Sequence, residues 1–493
     1  MARSTISFLR RGKRVDVSDI DPKTTLLDWL RLSERSTGTK EGCAEGDCGA
    51  CTVVLARERE GRLVYDAVNA CILLLGQVDG SEVITIEDLA TDEGLHPIQE
   101  AMVLHHGSQC GFCTPGIVMS LLALSHAKHT TLDRNTVNDA LAGNLCRCTG
   151  YKPIIAAALE SCASPKADQF DARESATLAA LAQFRANEDM FMGSNESFFA
   201  APGSEASLAF LMKTHPDATI LAGATDIGLW ITKGLQDLPK LIWLGRIRSL
   251  AAIEETETTL TVGAAVTHQQ ALPRISALDP DFAELGRRFG STQVRMSGTV
   301  VGNIANGSPI GDWPPAFIVM GATLELREGF ASRTLPLEDF FIAYRKQDRT
   351  REEYLRRITI PKPKRNDHIR LFKISKRRDE DISAVMGAFR ITVDDGLITD
   401  ARIAFGGMAG IPQRARHAEQ AIIGQSIKDI ATWRAGAEAI ERDFQPLSDH
   451  RASAEYRMRV ARNLVIKALA EIAGVPSTTT RLVAHREVHH AAE

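Results

Sequence analysis

No cysteine occurs after Cys162 in this chain of 493 residues, although nine lie between Cys43 and that position. Thiolate chemistry is thereby confined to the N-terminal third. Long apolar runs are missing too: nothing approaches the ~18 consecutive residues that cross a bilayer. The basic N-terminal stretch "MARSTISFLRRGKR" has no apolar core of the kind a signal peptide carries. Neither sign of charge is in excess. A net charge of −4 provides no global electropositive field, so nucleic acid and membranes are not expected as partners. Internal repeats and low-complexity tracts are absent, and no G-x-G-x-x-G fingerprint supports a Rossmann-type dinucleotide site. The expectation is a cytoplasmic protein. In that reducing compartment grouped cysteines more often hold metal than form disulfides.

What is present is an ordinary globular composition, 44% hydrophobic and 24% charged, on a length that suggests roughly three domains. Residues 4–10 and 13–17 alternate apolar and polar side chains around Gly12, predicting a β-hairpin. The helix "TTLLDWLRL", a cysteine loop and the strands "CTVVLARE", "LVYDAVNACILLL" and "EVITIEDL" follow, giving a small sheet with one helix against it. From about Thr91 the pattern turns helical: "HPIQEAMVLHHG", "PGIVMSLLALSHAK", "DRNTVNDALAG" and "KPIIAAALESCA", with Pro97, Pro115 and Pro153 near helix starts. An Ala-, Ser- and charge-rich segment then reads as a partly helical linker. From Phe191 to about Pro361 strands and helices alternate. Beyond "PKPKRN" come the strands "RLFKISK", "MGAFRITVD" and "ITDARIAFGG", then helices. The last long helix carries Tyr456, Val460, Leu464, Ala468 and Ile472 four apart, with Gly474 and Pro476 as its stop. The predicted divisions are 1–89, 90–163, a linker over 164–190, 191–365, 366–475 and a tail over 476–493.

Cys43, Cys48, Cys51 and Cys71 give C-x4-C-x2-C…C, the plant-type [2Fe–2S] ligand spacing. Gly42, Gly46 and Gly49 free the loop to adopt unusual dihedrals and to bring N–H groups near the sulfurs. A four-thiolate zinc site is the alternative, although structural zinc normally takes two short paired knuckles. The second set is Cys110-x2-Cys113 and Cys146-x-Cys148, each pair preceding a helix start whose exposed N–H groups suit a site of several thiolates. Zinc is an alternative there as well. Cys162, at the end of an Ala-rich helix, is expected to be a buried structural thiol, and His105 and His106 ordinary helix-end histidines.

In order and spacing, "GTKEGCAEGDCGACTV", "QCGFCTPGIVMS" and "GNLCRCTGY" resemble the two iron–sulfur domains of the molybdenum hydroxylases. "ILAGATDIG", "GTVVGNIANGSPIGD" and "RASAEYR" are similar to that family's flavin domain, so the resemblance covers nearly the whole chain. Read from residues alone, the flavin motifs are Gly turns and a small-residue loop that could cradle a pyrophosphate, with plain tight turns as the alternative. The family resemblance implies an α+β multidomain chain: a β-grasp ferredoxin-like domain, a four-helix [2Fe–2S] domain, a PCMH-type α+β FAD-binding domain and a C-terminal α+β flavoprotein domain. Within the family the likeness is to the iron–sulfur and flavin subunit of two-subunit bacterial members that oxidise purines.

That resemblance implies two [2Fe–2S] clusters and an FAD, with Ile220, Leu221, Ala222, Gly223, Ala224, Thr225, Asp226, Ile227, Phe289, Thr299, Val300, Val301, Gly302, Asn303, Asp312, Leu355 and Lys373 near the flavin. It implies NAD as acceptor, with Tyr344, Arg378 and Asp381 as candidates, although "KISKRRDEDIS" read by itself is a solvated surface loop. Gln109 and Cys148 are placed against a molybdopterin that a large partner subunit carries, in a heterotetramer or larger, so no catalytic residue is expected in this chain. Electrons would pass from molybdenum to the Cys110 set, the Cys43 set, FAD and NAD, because clusters take single electrons whereas NAD needs a hydride. The same architecture in an aldehyde or N-heterocycle hydroxylase, a self-contained reductase passing electrons from NADH to a small carrier, and a zinc-stabilised scaffold are the alternatives.

Overall fold

A two-residue turn opens the fold: Arg11 and Gly12 both take positive φ, 54° and 69°, and join Ile6–Arg10 to Lys13–Val17 as an antiparallel hairpin. The computed structural model describes residues 2–92, 94–127, 132–184 and 188–481. In the first sheet the order is Lys13–Val17, Ile6–Arg10, Glu82–Ile84, Thr52–Arg59, Arg62–Asn69, with Ile6–Arg10 and Glu82–Ile84 parallel. Leu26–Asp28 and a wider-wound turn over Trp29–Ser33 pack on it, Trp29 meeting Phe8 edge-on at 5.2 Å. Two predicted strands are shorter than the sequence suggests. The strand after Arg62 stops at Asn69, whose carbonyl accepts from Ile72 N and Leu73 N at 3.3 and 3.2 Å, and this turn carries Cys71. The strand after Glu82 stops at Ile84, because Asp88 accepts from Thr85 N at 2.7 Å and winds the next residues into a short helix.

Four helices follow, Pro97–Leu104, Thr114–His126, Arg134–Leu141 and Lys152–Ala163. Thr114–His126 is central, buried from Gly116 to Leu124. Cys162 is a buried free thiol beside the Leu121 carbonyl, and burial pushes it up to about 11. The segment read as a linker is anchored rather than loose. Its helices Gln169–Ala172 and Glu174–Leu181 bury Phe170 and Leu181. Asp168 accepts hydrogen bonds from His96 Nε2 and His126 Nε2, both at 2.9 Å, and His126 stacks on Tyr65.

The third part holds two larger sheets and a two-stranded one of Phe341–Ala343 and Lys346–Gln347. A four-stranded one runs Met190–Gly193, Phe198–Ala201, Lys240–Trp243, Thr219–Leu221. A five-stranded antiparallel one runs Ile253–Glu255, Thr259–Gly263, Tyr354–Pro361, Thr323–Glu328, Ala331–Pro336. The helices Thr292–Ser297, Val300–Asn306 and Trp313–Met320 belong to this part, the last contributing the Trp313–Phe317 stack to its core. The C-terminal part pairs Asp367–Ile374, Val385–Asp394, Leu397–Gly406 and Gln413–Arg414, covered by the helices Arg416–Ile422, Ile430–Asp443 and Ala454–Ile472. On the last helix the predicted face is rotated. Tyr456 is exposed, and the buried stripe runs through Arg457, Ala461, Leu464, Val465, Ala468 and Leu469, because a row four apart drifts around a helix of 3.6 residues per turn. The tail is described as far as Arg481; residues 482–493 lie outside the described residues. The whole is a multidomain α+β protein with mixed sheets, and among the described residues no helix is long and apolar enough to cross a membrane.

Buried charges join the parts. Asp79 accepts from both terminal nitrogens of Arg3, at 2.8 and 2.7 Å, from Ser7 N at 2.8 Å, and from Arg246 of the third part. Burial alone would raise Asp168, but the bonds from His126 and His96 outweigh it and hold that carboxyl well below the usual range. A group whose pKa is depressed on folding stabilises above its unfolded value of ~3.9 and loses that contribution as pH falls. Asp168→Asn is therefore expected to lower the urea midpoint by the equivalent of about 2 kcal/mol near pH 7, with the gap to wild type narrowing only as pH falls below ~4 toward the depressed folded value. A gap that stayed constant with pH would contradict this role for the two histidines.

Candidate functional site

Around Cys43 the chain is wound by positive φ at Ala44, Gly46 and Gly49. Backbone N–H groups of Glu45 and Cys48 point at Cys43 Sγ, 3.4 and 3.3 Å away, and Asn69 Nδ2 lies 3.8 Å from Cys51 Sγ. The sulfurs of Cys51 and Cys71 are 3.2 Å apart, and that of Cys43 is in hydrogen-bonding contact with those of Cys48 and Cys71. The four predicted ligands thus lie in a row of pairwise sulfur contacts, Cys48–Cys43–Cys71–Cys51, under N–H groups that favour thiolates. This donor set fits a four-thiolate metal centre.

The second set is only partly gathered. Cys113, at the start of Thr114–His126, touches Cys146, and the Cys148 N–H is directed at the Cys146 sulfur. Cys110 and Cys148 are exposed. Cys146 N donates to the Tyr151 hydroxyl at 2.8 Å, and Tyr151, at φ 67°, turns the chain into the helix Lys152–Ala163. Burial pushes the Cys113 thiol up to about 12, so a thiolate there needs a cationic partner of the kind a metal supplies.

The two cysteine loops press backbone on backbone. Leu145 N donates to the Cys48 carbonyl at 3.0 Å, and Asn144 Nδ2 to the Gly49 carbonyl at 3.2 Å. Gly49 sits at φ 69°, and a Cβ there would lie 2.0 Å from the Gly143 carbonyl oxygen. The third part meets the same loop: Thr232 Oγ1 donates to the Ala44 carbonyl at 2.8 Å.

The two predicted flavin segments are brought together. Thr219–Leu221 ends in the loop Ala222–Asp226, with Ala224 at φ 60°, before the helix Ile227–Thr232. Gly223 lies so close to Ser297 that a Cβ would meet its carbonyl oxygen at 2.1 Å, and Ala222 faces Gly302. Thr299 caps Val300–Asn306 by accepting from Gly302 N at 3.1 Å. Leu221, Ala224, Val300, Val301 and Leu355 are buried; Ile220, Thr225, Ile227 and Phe289 are half-buried. Asn303 Oδ1 is buried with no hydrogen-bond partner among the described residues, as an acceptor reserved for a polar ligand would be. Asp312 and Lys373 are spent on each other: Lys373 Nζ and Ser383 Oγ both donate to the Asp312 carboxylate at 2.5 Å, all three groups buried.

Sequence reasoning missed His268. It is buried against Phe289 and Trp313, burial holds it neutral with a pKa of about 3, and its Nδ1 has no hydrogen-bond partner among the described residues. A lone histidine in "VTHQQ" carries no signal. The nicotinamide candidates have separate surroundings. Tyr344 is exposed, packs on Gly410 and lies under the Arg345 guanidinium. Arg378 reaches Glu284 at 3.5 Å, while Asp381 closes its own loop by accepting from Arg377 N and Ile382 N. Between them, burial and then the nearby Asp47 push the Glu380 carboxyl up to about 8.

Four family profiles match the chain in succession: a 2Fe-2S iron-sulfur cluster binding domain over residues 9–75, a [2Fe-2S] binding domain over 85–159, the FAD binding domain in molybdopterin dehydrogenase over 194–363, and the CO dehydrogenase flavoprotein C-terminal domain over 370–472. The chain belongs to the molybdenum hydroxylase family. The chain is 31% identical to the xanthine dehydrogenase of Emericella nidulans, over 89% of its own length and 36% of the relative's. To xanthine dehydrogenase 2 of Arabidopsis thaliana it is 32% identical, over 82% of its length and 35% of the relative's. It therefore spans little more than a third of the length of these relatives. Among solved structures, a carbon monoxide dehydrogenase chain from Hydrogenophaga pseudoflava is 26% identical with a TM-score of 0.53, covering 56% of this chain and 97% of its own. Quinoline 2-oxidoreductase from Pseudomonas putida 86 is 25% identical with a TM-score of 0.52, covering 55% and 95%.

Two expectations follow from this geometry. Gly49→Ala, which forces a side chain into the Gly143 carbonyl, is expected to yield protein with well under half the wild-type iron per chain by metal analysis; full iron content would contradict the loop packing. Lys373→Met leaves Asp312 as a buried charge with one neutral donor, and is expected to lower stability by about 3–5 kcal/mol. Adding Asp312→Leu should recover most of that loss in thermal unfolding followed by circular dichroism.

Proposed function

We propose that this chain is the electron-transfer subunit of a xanthine dehydrogenase, taking electrons from a molybdopterin centre on a large partner subunit through two [2Fe–2S] clusters to FAD and on to NAD as hypoxanthine and xanthine become urate. Support comes from the xanthine dehydrogenases among its relatives and, above all, from the direct contact of the two cysteine loops at Leu145 N and Cys48 O, with the outer loop open to a partner. Close to the exposed Cys110 and Cys148 in sequence stand Gln109 and the exposed apolar side chains of Phe112 and Leu145, groups suited to burial against another protein. The expected assembly is a heterotetramer or larger.

When bound, the clusters supply single-electron steps and the flavin converts these to hydride transfer. The protein's own part is placement. Cys43, Cys48, Cys51 and Cys71 would hold the inner cluster; Cys110, Cys113, Cys146 and Cys148 the outer one. The loop Ala222–Asp226 and the segment Thr299–Asn303 would hold the flavin, Asn303 Oδ1 offering a free acceptor. Tyr344, Arg378 and Asp381 stand as the nicotinamide candidates. A second reading, the same subunit in an N-heterocycle hydroxylase, draws on the likeness to quinoline 2-oxidoreductase.

Anaerobic NADH added to the purified protein is expected to bleach the flavin and develop two distinct [2Fe–2S] signals by electron paramagnetic resonance, with a molybdenum-bearing subunit copurifying and xanthine rather than quinoline reducing the complex. Reduction by dithionite but not by NADH would overturn the NAD-linked reading.

A further inference from the structure

Gln293 is fully buried in the helix Thr292–Ser297, and its side chain reaches out of the flavin part into the joint between the two cysteine loops. Its Nε2 lies 3.0 Å from Asn144 Oδ1, 3.1 Å from Ser120 Oγ and 3.3 Å from Thr52 Oγ1. Each contact is next to a ligand segment. Thr52 follows Cys51, Asn144 stands two residues before Cys146, and Ser120 is on the helix that Cys113 begins. The network closes on itself: Ser120 Oγ donates to Asn144 Oδ1 at 2.7 Å, Thr52 Oγ1 to the Gly49 carbonyl at 2.7 Å, and Asn144 Nδ2 to that same carbonyl at 3.2 Å. On its other side Gln293 is seated against Gly143, where a Cβ would come within 2.3 Å of Gln293 Oε1.

The opposite end of the same helix is equally constrained. Ser297 and Gly298 lie against Gly223 of the candidate flavin loop, the Ser297 carbonyl only 2.1 Å from where a Gly223 Cβ would stand. One helix of six residues therefore touches both cysteine loops at one end and the flavin cradle at the other.

We propose that Gln293 is a positioning residue for electron transfer: its amide holds Asn144, Ser120 and Thr52 so that the Cys48 carbonyl and Leu145 N–H stay bonded between the two clusters. This rests on the proposed two-cluster function. An amide has two N–H donors and no charge, so with one hydrogen shared between two acceptors it can join neutral groups from three segments without adding a charge between two anionic centres. A glutamate would keep the shape but donate nothing.

The test uses the full protein with its cofactors and any copurifying subunit, reduced with dithionite, in wild type, Gln293→Ala, Gln293→Glu and Leu260→Ala, the last a core residue of the flavin part outside the joint. The expected result is that both iron–sulfur signals persist in Gln293→Glu, their mutual magnetic splitting changes, and equilibration between the clusters after rapid mixing slows by about tenfold, while Leu260→Ala lowers the melting temperature with splitting and rate unchanged. If either Gln293 variant fails to fold, the other carries the test alone. Unchanged splitting and rate in the Gln293 variants, with only a lowered melting temperature, would reduce Gln293 to a packing residue and overturn the proposal. Absence of two iron–sulfur signals from the wild type would overturn the functional reading itself, and this role with it.

Discussion

Everything in the N-terminal half depends on one close approach, that of the Gly49 peptide to its neighbours. Its carbonyl oxygen stands 2.1 Å from where a Gly116 Cβ would be, and its own missing Cβ leaves room for the Gly143 carbonyl. Three cysteine-bearing segments, the wound loop, the start of Thr114–His126 and the stretch before Cys146, thus meet backbone to backbone at this peptide. A Cβ at Gly49 or Gly116 would collide with the facing backbone, so glycine is what permits this contact. The carbonyl is also the acceptor for Asn144 and Thr52, so the contact is oriented as well as tight.

Around this joint the protein uses buried polar groups where apolar packing would also have filled the space. Asp79 draws Arg3, Ser7 and Arg246 together, and Asp312 draws Lys373 and Ser383. Apolar faces slide over one another at small cost, whereas a buried carboxylate left without its partners is strongly destabilising. Each such group therefore admits a single arrangement of the parts it joins.

Much of this was legible in the sequence, for identifiable reasons. The C-x4-C-x2-C spacing with its glycines encodes a wound loop, and in the structure the four sulfurs follow one another in pairwise contact, Cys48–Cys43–Cys71–Cys51. Proline-marked helix starts and the alternation around Gly12 are local signals, read locally. What escaped was set by contacts distant in sequence. The strand after Arg62 ends at Asn69 because of a turn that apolar periodicity conceals, and the "linker" is held by Asp168 pairing with histidines 72 and 42 residues away. Gln293 and His268 are single polar residues in unremarkable stretches, and their surroundings come from other parts of the chain. The side chains of Val300 and Val301 are buried in the core, a direction the motif alone does not give.

The charged tie at Asp79 bears on how the chain comes apart. Arg3 and Ser7 belong to the first strand region and its lead-in, Arg246 to a loop beyond the four-stranded sheet, and all converge on one buried carboxylate. A chain with four matched domains invites the picture of beads melting one after another. Opening the first bead takes Asp79 away from the buried Arg246 of the third, so the cost of opening one part is set partly inside another, across a boundary drawn along the sequence.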